Sequence, residues 1–217
     1  MSRPVLLDLF CGAGGAAMGY HRAGFEVVGV DIANERRYPF EFHRGDALEF
    51  LAAHGQEFDV IHASPPCQTF SRTRHLRDAQ GKGTDKVNLI PETRGLLAYV
   101  GRPYVIENVP GAPLIDPLVL CGSMFGLKVR RHRLFETSPL LWAYLGKCRH
   151  REQGRPIGVY GSMRDDIPKG GRTARTLEEA REAMGIDWML WGDLVEAIPP
   201  AYTDWIGAQL LRTVIER

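Results

Sequence analysis

Between Val5 and Asp31 the chain runs strand, glycine turn, helix and strand, an order that points to the α/β class. Val5 to Phe10 is an apolar strand, Gly12-Ala13-Gly14-Gly15 a turn, Ala16 to Arg22 a helix, and Glu26 to Val30 a second strand ending in Asp31. Glycines at a strand-to-helix turn let a ligand approach the backbone. An acidic residue ending the next strand stands where ribose hydroxyls bind. Gly12 and Asp31 are nineteen positions apart, close to the dinucleotide-fold spacing. However, Gly-x-Gly-Gly differs from Gly-x-Gly-x-x-Gly, so a turn that holds no ligand stays open. Asp8 lies inside the first strand, where a carboxylate needs a partner, and a ligand's ammonium group is one candidate.

The run Phe58 to Ala63 reads as a buried strand cut off by Ser64-Pro65-Pro66. Neither proline has a backbone N–H, and Pro66 confines Pro65 to extended geometry. Cys67 therefore sits on a stiff turn at the carboxyl end of a strand, where open α/β sheets place ligands. It is either a thiolate nucleophile or a buried inert cysteine, and this stretch alone leaves both open. His43 to Leu48 reads as a strand end followed by a helix, with Asp46 as a cap or a ligand contact. The polar stretch from Arg72 to Arg94 reads as a mobile loop on the catalytic side.

Pro103 to Ile106 forms a further strand leading into Glu107-Asn108-Val109-Pro110-Gly111, and Leu118–Leu120 and Arg133–Phe135 read as the last two strands. From Thr137 to about Arg181 this rhythm dissolves into a segment with Trp142, Tyr144 and Tyr160, read as an insertion, within which Thr176 opens a capped helix. The expected division is a core over 1–136, an insertion over 137–181, and a segment over 182–217 that returns to the core.

A chain of 217 residues suits one such domain. No apolar run approaches the ~20 residues needed to span a bilayer, and no cleavable signal peptide is expected. The four cysteines, Cys11, Cys67, Cys121 and Cys148, form no CxxC pair. They suggest a reducing, cytoplasmic setting and argue against a disulfide framework or a complete zinc site. Cys148 and His150 supply two ligands where a structural zinc wants four, so no obligatory metal is expected. The net charge of +1 hides an asymmetry: Lys128 to Arg175 holds twelve Lys/Arg against four Asp/Glu. Such a stretch suits a polyanionic partner, most simply nucleic acid, or a solvated basic face.

Taken in order, five segments resemble the DNA (cytosine-5) methyltransferase family: DLFCGAGG at Asp8–Gly15, SPPCQTFS at Ser64–Ser71, ENVPG at Glu107–Gly111, RRHRLFE at Arg130–Glu136 and IPPAYTDWIG at Ile198–Gly207. The resemblance covers nearly the whole chain apart from the insertion. It implies an α/β, Rossmann-like S-adenosylmethionine-dependent sheet with a small target-recognition insertion. It implies methyl transfer to carbon 5 of a cytosine flipped out of double-stranded DNA, by a monomer in a bacterial or phage-infected cell. Cys67 would attack carbon 6, and Glu107 would bond N3 and the exocyclic amine. Arg131 and Arg133 match an arginine pair, one of which lies against the cytosine carbonyl oxygen; plain phosphate contact is the alternative use. Phe10, Gly12 and Gly14 would lie along the cofactor, Asp31 on its ribose, Asp46 on its adenine amine and Pro66 near its reactive end. Asp8 joins this set as the strand carboxylate.

The sequence departs from the family pattern in two places. Val129 stands where the arginine motif usually has Gln, and the insertion is only about 45 residues, which implies a site of two to four base pairs read mainly from Thr137–Arg175. Two other readings remain: a tRNA cytosine-5 methyltransferase with the same motifs, and a non-catalytic nucleic-acid binder.

Overall fold

Leu6, Leu7 and Leu9 are fully buried, so the first strand lies at the centre of a sheet covered on both faces. The computed structural model describes residues 2–66, 88–141, 145–161 and 171–215. Seven strands form the main sheet: β1 (Val5–Leu9), β2 (Glu26–Asp31), β3 (Glu41–Arg44), β4 (Val60–Ala63), β5 (Tyr104–Asn108), β6 (Leu118–Leu120) and β7 (Arg133–Ser138). Their order is β3-β2-β1-β4-β5-β7-β6. The pairings from β3 through β5 are parallel, and β7 runs antiparallel to both β5 and β6. Strand order reverses between β1 and β4, and the carboxyl ends of those two strands flank the crevice in which such sheets bind ligands.

One face is covered by α1 (Gly15–Ala23) and α6 (Pro200–Ile215), whose Tyr20, Tyr202, Ile206 and Leu210 pack with Leu6 and Phe135. The other is covered by α2 (Ala47–His54) and α3 (Ile90–Val100), through Leu51, Leu97 and Val100. A third cluster gathers around Val129 from β8 (Ile157–Gly158), β9 (Arg172–Thr173), α4 (Leu177–Met184) and α5 (Trp191–Glu196).

Several boundaries differ from those expected. Strand β7 continues to Ser138, beyond the core edge at 136, because Thr137 and Ser138 pair with Val105 and Tyr104. Glu107 lies within β5 rather than after it, opposite Phe135. Residues 90–94 of the expected loop are helical: Ile90, Thr93, Leu97 and Val100 are buried at helical spacing, and Pro91 occupies the first turn. Residues 72–87 of that loop, with Trp142 and Tyr144, lie outside the described residues. The insertion is not without regular structure, since β8 and β9 pair in parallel and Ile157 N–H bonds Lys128 O. The caps at Asp46 and Thr176 are as expected: Asp46 accepts from Leu48 and Glu49, and Thr176 accepts from Glu179.

Helices α1 and α6 cross at backbone contact. A methyl group on Gly19 would overlap Thr203 Oγ1 and Pro200 O, and one on Gly207 would meet Ala23 Cβ at 2.7 Å. Thr203 Oγ1 donates to Ala16 O at 2.8 Å, which pins the two helices. Gly19→Ala should therefore lower the urea midpoint by an equivalent of about 1–3 kcal/mol. Gly95→Ala, at an exposed position of α3 with no described residue near the new methyl, should raise it by about 0.5–1 kcal/mol. Equal effects of the two changes would refute the packing account.

Candidate active site

The turn that leads into Cys67 is tied to the next strand by one amide. Asn108 Nδ2 donates to Pro65 O at 2.9 Å, and Ser64 N–H bonds Leu9 O at 3.1 Å. Two neighbouring strand ends thus hold Ser64-Pro65-Pro66 in place. Cys67 itself lies outside the described residues.

Beside this turn Glu107 is 6% exposed and Arg133 Nε lies 3.0 Å from its Oε1. The Arg133 N–H does not point at that oxygen, so Oε1 has no hydrogen-bond donor among the described residues. Burial pushes the Glu107 carboxyl above the usual carboxylate range; the charges of Arg133 and Arg131 and a bond from Ser64 only partly offset it. A buried carboxyl with a raised pKa and a free oxygen is suited to hydrogen-bonding a polar ligand edge.

A polar chain runs back from Glu107 into the core. Tyr20 Oη lies 2.9 Å from His62 Nδ1, and His62 Nε2 lies 2.9 Å from Ser64 Oγ. Burial lowers the His62 pKa to about 3, so its ring is neutral at ordinary pH. Burial also raises Tyr20 well above its ordinary range, so it keeps its proton. One tautomer satisfies the histidine: Tyr20 donates to Nδ1 and Nε2–H donates to Ser64 Oγ, which leaves the Ser64 hydroxyl proton for Glu107. Sequence reading missed Tyr20, His62, Ser64 and Asn108. The one available signal was a histidine inside an otherwise apolar strand.

The two arginines separate. Arg131 is 1% exposed, and its guanidinium donates to Val195 O, Ala197 O and Val159 O at 2.6–3.0 Å. It makes no hydrogen bond to Glu107 among the described residues; it joins the insertion to the segment before α6. Expected as one of an arginine pair at the base, it is bonded to backbone carbonyls, and its Nε has no hydrogen-bond partner among the described residues. Burial also lowers its pKa to about 10. Val129, in the place of the usual Gln, is 2% exposed in the third cluster, while its carbonyl accepts from Gln153 Nε2 at 2.8 Å.

At the ends of β1 and β2 the backbone forms a cradle. Phe10 and Gly12 both have left-handed backbone, at φ 56° and 48°, and a methyl on Gly12 would meet none of the described residues within 4 Å. Asp31 Oδ2 accepts from Gly12 N at 3.1 Å and Oδ1 from Ala33 N at 3.0 Å. Ile32, which sequence reading passed over, is 71% exposed beside it. Gly14, expected along the cofactor, also has left-handed backbone at φ 83°, and Pro39 and Tyr38 occupy the space of its missing side chain. Asp46 is exposed, and both of its cap bonds go to Oδ1. Pro66 is exposed at the crevice.

Asp8, expected to face a ligand ammonium, keeps one oxygen, Oδ1, without a hydrogen-bond partner among the described residues. It is fully buried, bonded by the backbone of Ala17 in the first turn of α1, with Tyr38 Oη at 3.5 Å. Burial pushes its carboxyl up to about 8, so near neutral pH it keeps its proton.

The profile of the family described as "C-5 cytosine-specific DNA methylase" matches residues 5–112. The chain is 33% identical over 129 residues to Type II methyltransferase M.XorII of Xanthomonas oryzae pv. oryzae, a match covering 51% of this chain and 29% of that protein. It is 27% identical over 121 residues to Type II methyltransferase M.HgiGI of Herpetosiphon aurantiacus, covering 50% of this chain and 92% of that protein. The chain thus spans less than a third of the length of the first of these relatives. In fold it is similar to the Dnmt2 methyltransferase of S. pombe, with a TM-score of 0.63 at 12% identity over 98% of this chain and 99% of that one. Among the described residues no helix is long and apolar enough to cross a membrane.

His62 gives the site a pH signature. Its folded pKa, about 3, lies below the unfolded value of about 6.5. Its contribution to stability is therefore present above pH ~6.5 and lost as the pH falls toward 3, on the order of 3–5 kcal/mol in all. Urea midpoints should fall across this window in the wild type and less steeply in His62→Gln. Parallel curves would contradict the buried neutral ring.

Proposed function

Since the chain belongs to the C-5 cytosine-specific DNA methylase family, we propose that it methylates carbon 5 of a cytosine flipped out of duplex DNA, with S-adenosylmethionine as donor. Cys67 is the nucleophile of this reading. Its thiolate forms a bond to carbon 6, and the electron pair of the 5,6 double bond moves to carbon 5, which then attacks an electrophilic methyl. After transfer a base removes the carbon 5 proton, the double bond reforms and the bond from Cys67 to carbon 6 breaks.

The observation that carries the proposal is Glu107: buried, raised in pKa, paired with Arg133 and free of donors at Oε1 among the described residues. Protonated, it donates to N3 of the base, and its other oxygen accepts from the exocyclic amine, which lowers the cost of thiolate addition. Arg133 holds Glu107 in register and offers its remaining donors to the cytosine carbonyl oxygen. Its charge also favours the thiolate of Cys67. The Ser64-His62-Tyr20 chain orients Glu107 from behind without adding charge.

S-adenosylmethionine supplies, when bound, a methyl made electrophilic by its sulfonium. The open cradle at Gly12 and the exposed Ile32 fit such a group. Phe10 and Gly12 would lie along it, Asp31 would take the ribose hydroxyls, Ile32 would cover the adenine and Asp46 its amine. Pro66 would stand near the reactive end.

The division of labour proposed is a core over residues 1–138 and a recognition insertion from 139 to 181, with Arg131 tying the two together. The basic stretch Lys128–Arg175 supports a polyanionic substrate. The size of the insertion supports a site of two to four base pairs.

The test is transfer of labelled methyl to mixed-sequence duplex DNA. The wild type should label cytosine, Cys67→Ala should give none, and Glu107→Gln should lose about 10²–10⁴-fold in rate. Sequencing the product should give a site of two to four specified pairs; six or more would reject that part. Label on tRNA but not on duplex DNA would overturn the substrate assignment, and binding without transfer to either would overturn catalysis.

A further inference from the structure

Four side chains from three separate segments meet beside β7. Cys121, His132, Cys148 and His150 each present one ligand atom, and these four atoms lie within 4.8 Å of one another. Cys121 Sγ is 3.2 Å from His150 Nε2, and Cys148 Sγ is 3.4 Å from His132 Nε2. A tetrahedral zinc with sulfur at ~2.3 Å and nitrogen at ~2.0–2.1 Å sets its ligands about 3.3–3.8 Å apart. The cluster is therefore already close to the size that the ion requires.

We infer that Cys121, His132, Cys148 and His150 form a structural zinc site that fastens the insertion to the catalytic sheet. Sequence reading finds only Cys148 and His150 as a partial ligand set; the fold adds Cys121 and His132 to them. The intervals of ten, fifteen and one residue carry no zinc motif, and only the fold brings them together. Four protein ligands leave no open position, which is the pattern of a structural rather than a catalytic ion.

The surroundings are built to hold the four in place. Cys121 is presented by a tight turn at Gly122, where any side chain would overlap Val129 O, and Gly122 N–H bonds Arg130 O at 3.1 Å. Ser123 Oγ lies 3.2 Å from Cys121 Sγ and accepts from Arg149 N at 3.0 Å, between the two ligands of the insertion. Gln153 binds Leu127 O, Val129 O and Arg130 Nε, and so staples the same two segments together. The Cys121 S–H bond to Arg130 O at 2.8 Å is given up when zinc binds, because each cysteine releases one proton and ligates as a thiolate. Ser123 then remains as a hydroxyl donor to that sulfur.

The position links the site to the reaction centre without entering it. His132 stands between Arg131 and Arg133, and Arg133 donates to His132 O at 3.0 Å. Arg131 runs to the insertion at Val159 and Arg133 faces Glu107. Zinc on His132 would brace the stretch that holds both.

The test is metal analysis of the full chain, made without a histidine tag and purified under reducing conditions. One zinc per chain is expected in the wild type and in Cys11→Ala, and little in Cys121→Ser with Cys148→Ser. Replacement of zinc by Co2+ should give the strong visible absorption of a tetrahedral ion with a thiolate charge-transfer band, and His150→Gln should alter it. Chelation should expose residues 145–161 to protease. A soluble wild type that takes up neither ion stoichiometrically, or a double cysteine variant that keeps its zinc, would overturn the site. Should the double variant be insoluble, the Co2+ spectrum of the wild type decides, and its absence refutes the inference. These readouts do not depend on methyl transfer, so failure here and failure of the catalytic reading are distinguishable.

Discussion

The antiparallel pairing of β7 against β5 is the constraint on which the site depends. It sets Asn108 opposite Leu134 and Glu107 opposite Phe135, so Arg133 enters the strand next to the carboxyl that it must hold. The pairing is fixed on both sides of the sheet: Phe135 is fully buried among Leu6, Tyr202 and Leu120, and Glu136 is bound by Arg94 and Ile115 N–H. A slip by one residue would turn Phe135 and Arg133 to the opposite faces. The half-buried Arg133 would then lose Glu107, and Phe135 its place in the core, which makes the register strongly preferred.

From this pairing the remaining geometry follows in two directions. Toward β4, Asn108 reaches Pro65 and fixes the turn before Cys67. Toward the C-terminus, Arg131 draws the carbonyls of Val159, Val195 and Ala197 onto the start of β7, and Tyr202 Oη donates to Arg131 O at 2.7 Å. The glycine faces of α1 and α6 then close the molecule, since Ile198 O lies against Gly15. The glycine turn thus divides its work: Gly12 leaves space open, whereas Gly14 and Gly15 make room for the chain itself.

Much of this was legible in the sequence. Apolar runs gave the strands of the main sheet other than the polar β3, the caps at Asp46 and Thr176 gave two helix starts, and proline and glycine gave the turns. Glu107 and Arg133 were legible as residue types at strand ends, and the structure brings them to 3.0 Å. What was not legible depends on pairing between distant segments. Arg131 and Arg133 look equivalent in RRHR, and only the positions of Val159, Val195 and Ala197 show that one is a tie and the other faces the site. Asp8 could not be matched to the first turn of α1 without the fold, and the ligands of the cysteine–histidine cluster carry no sequence motif. Residues 90–94 were misread because charge at Glu92 and Arg94 masked a buried stripe at helical spacing.

The central claim is that this framework delivers Cys67 to carbon 6 of a cytosine. The most direct measurement uses duplex DNA in which cytosine is replaced by 5-fluorocytosine, incubated with the protein and S-adenosylmethionine. Once carbon 5 is methylated it carries fluorine instead of the proton that a base must remove, so the bond from Cys67 cannot be released. The account predicts a denaturant-stable protein–DNA adduct whose only modified peptide contains Cys67. An adduct on another residue, or methylated cytosine from unmodified DNA with no adduct on the fluorinated duplex, would contradict it.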